Sequence, residues 1–249
     1  MDTQLAGRCA LVTGASRGIG RAIALAFAEA GADVAVAYRR EGAAAAEVVK
    51  EIERHGRRAL ALSADVRDAA AVRAMVDQAV AGLGRLDIVV ANAGVPTRSL
   101  PLHEVEPSYW ERIVAIDLTG VFHTLYAALP ILRAQRRGVL LTISSVGADL
   151  CAPHGGPYVA AKAGVNALTR VVARENASRG IRCNVISPGL VQTEMGQGVL
   201  DAHGADLVGA IPLGRIGTPA EIGSLAVYLA SDAASWITGQ IFRIDGGQT

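Results

Sequence analysis

Tyr158 and Lys162 stand four residues apart in YVAAK, within a run of helical character from 157 to 179. On a helix that spacing sets both side chains on one face, one turn apart. An isolated tyrosine gives up its proton at a pH of about 10, and a cation within roughly 4–6 Å favours the phenolate by about 1–3 units. A phenol placed beside an ammonium group can therefore act as general acid or base near neutral pH. Ser144 and Ser145 close the strand-like run VLLTISS (139–145), and a hydroxyl there can donate to a carbonyl oxygen. Taken singly, a Tyr/Lys pair at this spacing also arises by chance, and Ser–Ser is common turn chemistry.

A second chemical signal lies near the start, in LVTGASRGIG (11–20). An apolar run over 9–12 is followed by Gly14, Gly18 and Gly20 and then by the helix-forming AIALAFAEA from Ala22, so the order is strand, glycine turn, helix. Gly14 permits a sharp turn, Gly18 lets backbone approach a pyrophosphate, and Gly20 lets the helix pack closely on the strand. The spacing G-x-x-x-G-x-G differs from the general dinucleotide fingerprint G-x-G-x-x-G, and a glycine turn of this sort is either a phosphate site or only a turn. The second strand, 33–38, ends at Tyr38 with Arg39 and Arg40, where an acid that reads the free ribose 2′-hydroxyl of NAD would be expected. Arg39, with Arg17 inside the glycine turn, suits a 2′-phosphate instead, which favours NADP(H) and leaves NAD(H) as the second option; both arginines also read as plain surface residues. Asp65 and Asn92 follow the third and fourth strands, on the edge where open sheets bind ligands, and each equally suits a turn or cap.

Strand-like and helix-like segments alternate through nearly all of the chain. Helical patterns over 43–55 and 68–82 surround a strand near 59–62, a strand over 86–94 ends in a glycine turn, 181–187 and 240–245 are strands, and a helix begins near 219. Such alternation predicts an α/β fold, a parallel sheet with helices on both faces, doubly wound by right-handed crossovers. With 249 residues and no linker-like stretch, one domain over 1–249 is expected. The run 103–132 reads as a helix with Trp110, Ile113, Val114, Leu118, Val121, Phe122 and Leu125 on one heavily buried side, in the core or in part against another subunit, interrupted by Asp117 and Gly120, the former a carboxylate that needs a partner. The stretch 190–211, with glycines at 196, 198, 204 and 209, reads as a mobile lid or an ordinary surface loop.

Composition narrows the function classes. A net charge of +1 offers no footprint for nucleic acid, the three cysteines have no metal-ligand spacing, and no apolar run approaches a membrane span. The expectation is a cytoplasmic protein with no metal, in a reducing compartment.

TGASRGIG (13–20), NAG (92–94), ISS (143–145), YVAAK (158–162) and SPGLVQTEM (187–195), in that order, resemble the short-chain dehydrogenase/reductases from end to end. The resemblance implies one doubly wound, Rossmann-type domain with seven parallel strands and a nicotinamide cofactor at their carboxyl ends. It implies that Tyr158 exchanges a proton with the substrate oxygen, that Lys162 assists it and holds the nicotinamide ribose, and that Ser145 positions the oxygen. Ile19 and the three glycines would meet the pyrophosphate, Asp65 and Val66 the adenine, with Asn92 beside the adenosine ribose and the Thr193 hydroxyl on the carboxamide. Ser16, Arg17, Gly94, Pro188, Gly189 and Val191 would also bind the cofactor. The sequence departs from the family at Asp117, where the fourth catalytic residue is usually Asn and its main-chain carbonyl holds a water linked to the lysine. Within the family the likeness is to 3-oxoacyl-(acyl carrier protein) reductases and related NADPH-dependent ketone reductases, with Arg136 and Arg179 where those enzymes carry residues that meet an acidic carrier protein.

The expected activity is hydride transfer between NADP(H) and a ketone or secondary alcohol, a 3-oxoacyl thioester among them. The alternatives are an NAD-linked dehydrogenase of a sugar, steroid or small alcohol, and a cofactor-binding protein with weakened turnover, which Asp117 keeps open. A homotetramer is the assembly that the resemblance implies.

Overall fold

Along the first strand, β1 (Cys9–Val12), Cys9 and Leu11 enter one apolar cluster and Ala10 and Val12 the other, the period-two alternation of a strand covered on both faces. The same split recurs in β2 (Asp33–Tyr38), where Val34 and Val36 face one side and Ala35 and Ala37 the other. With β3 (Ala59–Ser63), β4 (Ile88–Ala91), β5 (Gly138–Ile143), β6 (Ile181–Pro188) and β7 (Ile241–Ile244) these strands form one parallel sheet of seven, ordered β3-β2-β1-β4-β5-β6-β7. The computed structural model describes residues 4–203 and 206–249. Strand order reverses between β1 and β4, which opens a crevice at their carboxyl ends.

In chain order the helices are α1 (Gly18–Glu29), α2 (Gly42–Arg54), α3 (Ala69–Leu83), α4 (Pro107–Val114), α5 (Gly120–Gln135), α6 (Gly147–Leu150), α7 (Gly156–Asn176), α8 (Glu194–His203), α9 (Asp206–Gly209) and α10 (Pro219–Ala230). Ile23, Phe27, Val48, Ile52, Ile222 and Leu229 pack α1, α2 and α10 on one face of the sheet. Val72, Met75, Val121, Leu125, Val165 and Val172 pack α3, α5 and α7 on the other. Helix starts follow capping chemistry: Asp68 accepts from the Ala70 and Ala71 N–H groups, and Thr218 and Glu221 form a reciprocal capping box.

Three expectations need correction. The run 103–132 is not one helix: Pro107 starts α4, a π-helical turn over Ala115–Thr119 follows, and Gly120 starts α5. The wider turn rotates Asp117 into the interior, where it is fully buried. Within the single chain Trp110 and Phe122 of that stripe are 38% and 45% exposed, whereas Ile113, Val121 and Leu125 are core. The joined stretch 107–135 is, by length and composition, apolar enough to cross a membrane, which a search for uninterrupted apolar runs overlooks. Half of its most apolar window is buried within the fold, packed against α3 and α7, so its composition is that of a core helix. Finally, 190–211 is largely helical: the Thr193 hydroxyl accepts from the Gly196 N–H at 3.0 Å and caps α8, which no glycine count reveals. Gly204 lies outside the described residues.

Asp33, at the start of β2, supplies a pH test of the fold. Burial opposes its ionisation, but the Arg58 N–H and guanidinium and the Arg57 guanidinium outweigh burial and hold its carboxyl below the ordinary range. The stabilisation is therefore present above the unfolded-state value of about 4 and is lost as pH falls through the lower folded-state value. Asp33→Asn is expected to be less stable than the parent by about 1–3 kcal/mol at pH 7, with the gap closing in strong acid, as read by urea unfolding at both pH values.

Candidate active site

The carboxyl ends of β1 and β4 are stapled together. The Thr13 hydroxyl accepts from the Asn92 and Ala93 N–H groups at 3.0 and 3.1 Å and donates to the Val90 carbonyl. In return the Asn92 amide donates to the Thr13 and Gly14 carbonyls at 2.8 and 3.2 Å. Gly14 and Gly18 have φ of 64° and 57°, in the left-handed region that glycine enters without penalty. A Cβ on Gly20 would collide with the Gly14 carbonyl and the Asn92 amide, so the third glycine lets α1 reach the staple. The first N–H groups of α1 have no intrahelical acceptors and open toward the crevice.

The second chemical group gathers at the start of α7. Lys162 is buried, and its ammonium donates to the Ile143 carbonyl at 3.0 Å, stands 3.4 Å from Asp117 Oδ1 and lies 5.5 Å from the Tyr158 ring centre. The Val95 N–H donates to the same carboxylate, at 3.2 and 3.3 Å from its two oxygens. Asp117 thus has the partner that its sequence context demands. Burial pushes its carboxyl above the ordinary range, while Lys162 and the Val95 N–H pull the other way. The two serines separate cleanly. Buried Ser144 donates to the Lys162 carbonyl at 3.2 Å, whereas half-buried Ser145 accepts from the Gly147 N–H at 3.0 Å, which aims its oxygen and leaves its own proton free to donate. Both lie just beyond the strand proper, which ends at Ile143.

One cavity of about 1110 Å³ joins the two groups. It is lined by Gly14, Ser16, Arg17, Gly18, Ile19 and Gly20 at the turn, and by Arg39, Asp65, Val66, Asn92 and Gly94 along one wall. Asp117, Ser145, Tyr158 and Lys162 line it too, as do Pro188, Gly189, Val191 and Thr193. Every catalytic and cofactor-binding residue named from the sequence therefore lines this one cavity. Several are already engaged within the chain. Arg17 pairs with Glu194 at 2.7 Å, tying the glycine turn to α8. Asp65 is clasped by Arg67, whose side chain is the main reason its carboxyl is held down to about 2. The Thr193 hydroxyl serves the α8 cap and donates to the Val191 carbonyl. Arg39 has only a 4.0 Å approach to Asp65. Sequence reading missed Glu41, His154 and Gln248, which also line the cavity; no motif marks them, because only the fold carries these loops to the crevice. Arg136 and Arg179 lie beside the starts of β5 and β6, at the opposite edge of the sheet. Among the described residues no three His, Cys, Asp or Glu side chains gather as a metal site.

A family profile described as enoyl-(acyl carrier protein) reductase matches residues 14–249. The chain belongs to the short-chain dehydrogenase/reductase family. It is 42% identical over 240 residues to the 3-oxoacyl-[acyl-carrier-protein] reductase FabG of Staphylococcus aureus, covering 96% of this chain and 97% of that one. It is 40% identical over 249 residues to cis-4-hydroxycyclohexanecarboxylate dehydrogenase of Sinomonas cyclohexanicum, covering 100% and 99%. The solved structure of 7α-hydroxysteroid dehydrogenase with NADH and 7-oxo glycochenodeoxycholic acid superposes with a TM-score of 0.93 at 33% identity, covering 99% and 96%. Membership makes the protein an oxidoreductase of alcohol and keto groups that uses NAD(P). The glycine cradle fits that cofactor: Gly14 and Gly18 hold left-handed backbone at the start of α1, and Gly18 presents no Cβ on the side that faces Thr193 across the cavity.

Gly94 gives a structural test of the charged cluster. A Cβ there would stand 2.6 Å from Asp117 Oδ1 and 3.5 Å from the lysine nitrogen. Gly94→Ala is expected to lower stability by about 1–3 kcal/mol. Combined with Asp117→Ala the two losses should be clearly less than additive, as measured by urea unfolding in a double-mutant cycle.

Proposed function

We propose that the protein is an NADP(H)-dependent oxidoreductase that interconverts a ketone and a secondary alcohol, with Tyr158 as the proton-exchanging group. The observation that carries this reading is the meeting of Tyr158, Lys162 and Ser145 in the cavity that also holds the glycine cradle. When bound, the nicotinamide supplies or receives the hydride. The free Ser145 proton can bond the substrate oxygen, and Tyr158 gives that oxygen a proton in reduction or takes one in oxidation. Gly14, Gly18, Ile19 and Gly20 would cradle the pyrophosphate, Asp65 and Val66 the adenine, and Thr193 the carboxamide. Lys162, anchored on Ile143, would reach the nicotinamide ribose.

Preference for the 2′-phosphate rests on Arg39, which lines the cavity with guanidinium donors to spare because Arg67 already holds Asp65. The substrate end is walled by Leu150, Pro153, Leu190, Met195, Val199 and Leu207, which suits an apolar ring or chain. A 3-oxoacyl thioester falls in that class, as the FabG likeness suggests, and so does an alicyclic alcohol, as the cyclohexanecarboxylate dehydrogenase suggests. A carrier protein at Arg136 and Arg179 would sit far from this chain's own cavity mouth: Arg179 is 21 residues beyond Tyr158, about 30 Å along a helix. Exposed Trp110, Phe122, Tyr126 and Val171 on α4, α5 and α7 support assembly of identical subunits, a homotetramer in our reading. The cytoplasm is the proposed compartment, in keeping with three free cysteines.

Tyr158→Phe should bind NADPH as the parent does yet lose ketone reduction by at least about 10²-fold, followed at the nicotinamide absorbance band. Binding of NADPH without turnover of any ketone by the parent would favour the cofactor-binding alternative. Arg39→Asp should weaken NADPH by about tenfold or more and leave NADH nearly unchanged, because it removes a cation and adds repulsion; equal losses in titration calorimetry would show that Arg39 does not read the phosphate. Light scattering at micromolar concentration should give the mass of four chains, and a monomer would overturn the assembly.

A further inference from the structure

We infer that Asp117 is a positioning residue whose buried carboxylate cancels the charge of Lys162, so that Tyr158 keeps its proton to higher pH than it would beside a neutral amide. The inference rests on the proposed role of Tyr158 and adds what this chain's departure from the family does there.

Four features fix the carboxylate. The π-helical turn points Asp117 inward at 0% exposure. The Val95 N–H bonds it from the strand side, and the Lys162 ammonium stands 3.4 Å away on the helix side. The bare face of Gly94 makes room for Oδ1, which a Cβ would approach to 2.6 Å. The other groups facing this cluster are the Ile143 carbonyl from β5, which holds Lys162, and the Tyr158 ring from α7. Among the described residues no further ionisable side chain has an ion pair or hydrogen bond with Asp117.

Charge accounting then gives the direction. With an amide at 117 the lysine would leave the site at +1, and loss of the phenol proton would bring it to zero. With the carboxylate the site starts at zero, and the same loss takes it to −1. The carboxylate lies within about 9 Å of the ring, close enough in a poorly screened interior to move a titration by about one unit. Burial raises the carboxyl itself, so Asp117 takes up a proton in acid and loses this influence there. The alkaline side, where the phenol ionises, is where the ionised carboxylate acts. Reduction needs the phenol and oxidation the phenolate, so Asp117 extends reduction to higher pH and confines oxidation to higher pH. The overall equilibrium, which contains the proton, is unmoved.

The test is Asp117→Asn, with Asp117→Ser as a second variant if the first fails to fold by thermal melting. The Tyr158 component of phenolate absorbance is titrated in cofactor-free protein, with Tyr158→Phe subtracted, and pH–rate profiles are recorded in both directions. The expected result is a phenolate midpoint about one unit lower in the variant, with the alkaline limb of reduction and the acid limb of oxidation displaced equally, about tenfold in rate at a fixed pH on either limb. An unmoved midpoint in a folded variant overturns the inference, whether turnover is retained or lost. Absence of turnover in the parent would instead strike the proposed function, and the absorbance titration would still decide the role of Asp117.

Discussion

The cavity depends on the bond exchange between Thr13 and Asn92. β1 and β4 are neighbours in the sheet but 79 residues apart in this contact, and their carboxyl ends must stay closed while the chains beyond them diverge. A threonine hydroxyl that accepts two N–H groups and an amide that donates to two carbonyls satisfy the polar backbone at the fork. The glycine turn is then rigid because its carbonyls are spoken for, and the start of α1 is aimed by that rigidity. Everything on the nucleotide side of the crevice takes its position from this fork.

On the other side the organising constraint is desolvation. An ammonium group as deeply buried as Lys162 is tolerable only with compensation, and the fold supplies a carbonyl from β5 and a carboxylate from the π-helical turn. The turn is thus a chemical necessity as much as an irregularity of a helix. A regular helix through the same residues would carry Asp117 to a different angle and leave the lysine with half its support.

Most of the architecture was legible in the sequence, because each strand carries its own alternation and each crossover its own helical pattern. The site was legible for the same reason: Gly14, Ser145, Tyr158 and Pro188 all end or follow strands or open a helix, and the topology of a parallel sheet sends such positions to one edge. What escaped were features decided by packing across the chain. Hydrophobic spacing cannot register the extra residue of the π-helical turn, nor tell burial in the core from exposure on one chain, as at Trp110 and Phe122. A glycine-rich stretch looked like a loop because propensity weighs glycine heavily, whereas the Thr193 cap and the helix beyond it outweigh that cost. Nor could the sequence show that Arg17, read there as a phosphate ligand or a surface residue, meets Glu194, 177 residues away.

That last contact bears on how the crevice is entered. Arg17 and Glu194 join the glycine turn to α8 across the cavity mouth, with side chains 63% and 76% exposed. A pair so open to water holds by little more than thermal energy and is screened by salt. The mouth is therefore fastened by a clasp that any arriving polyanion can undo, because phosphate oxygens compete with Glu194 for the same guanidinium.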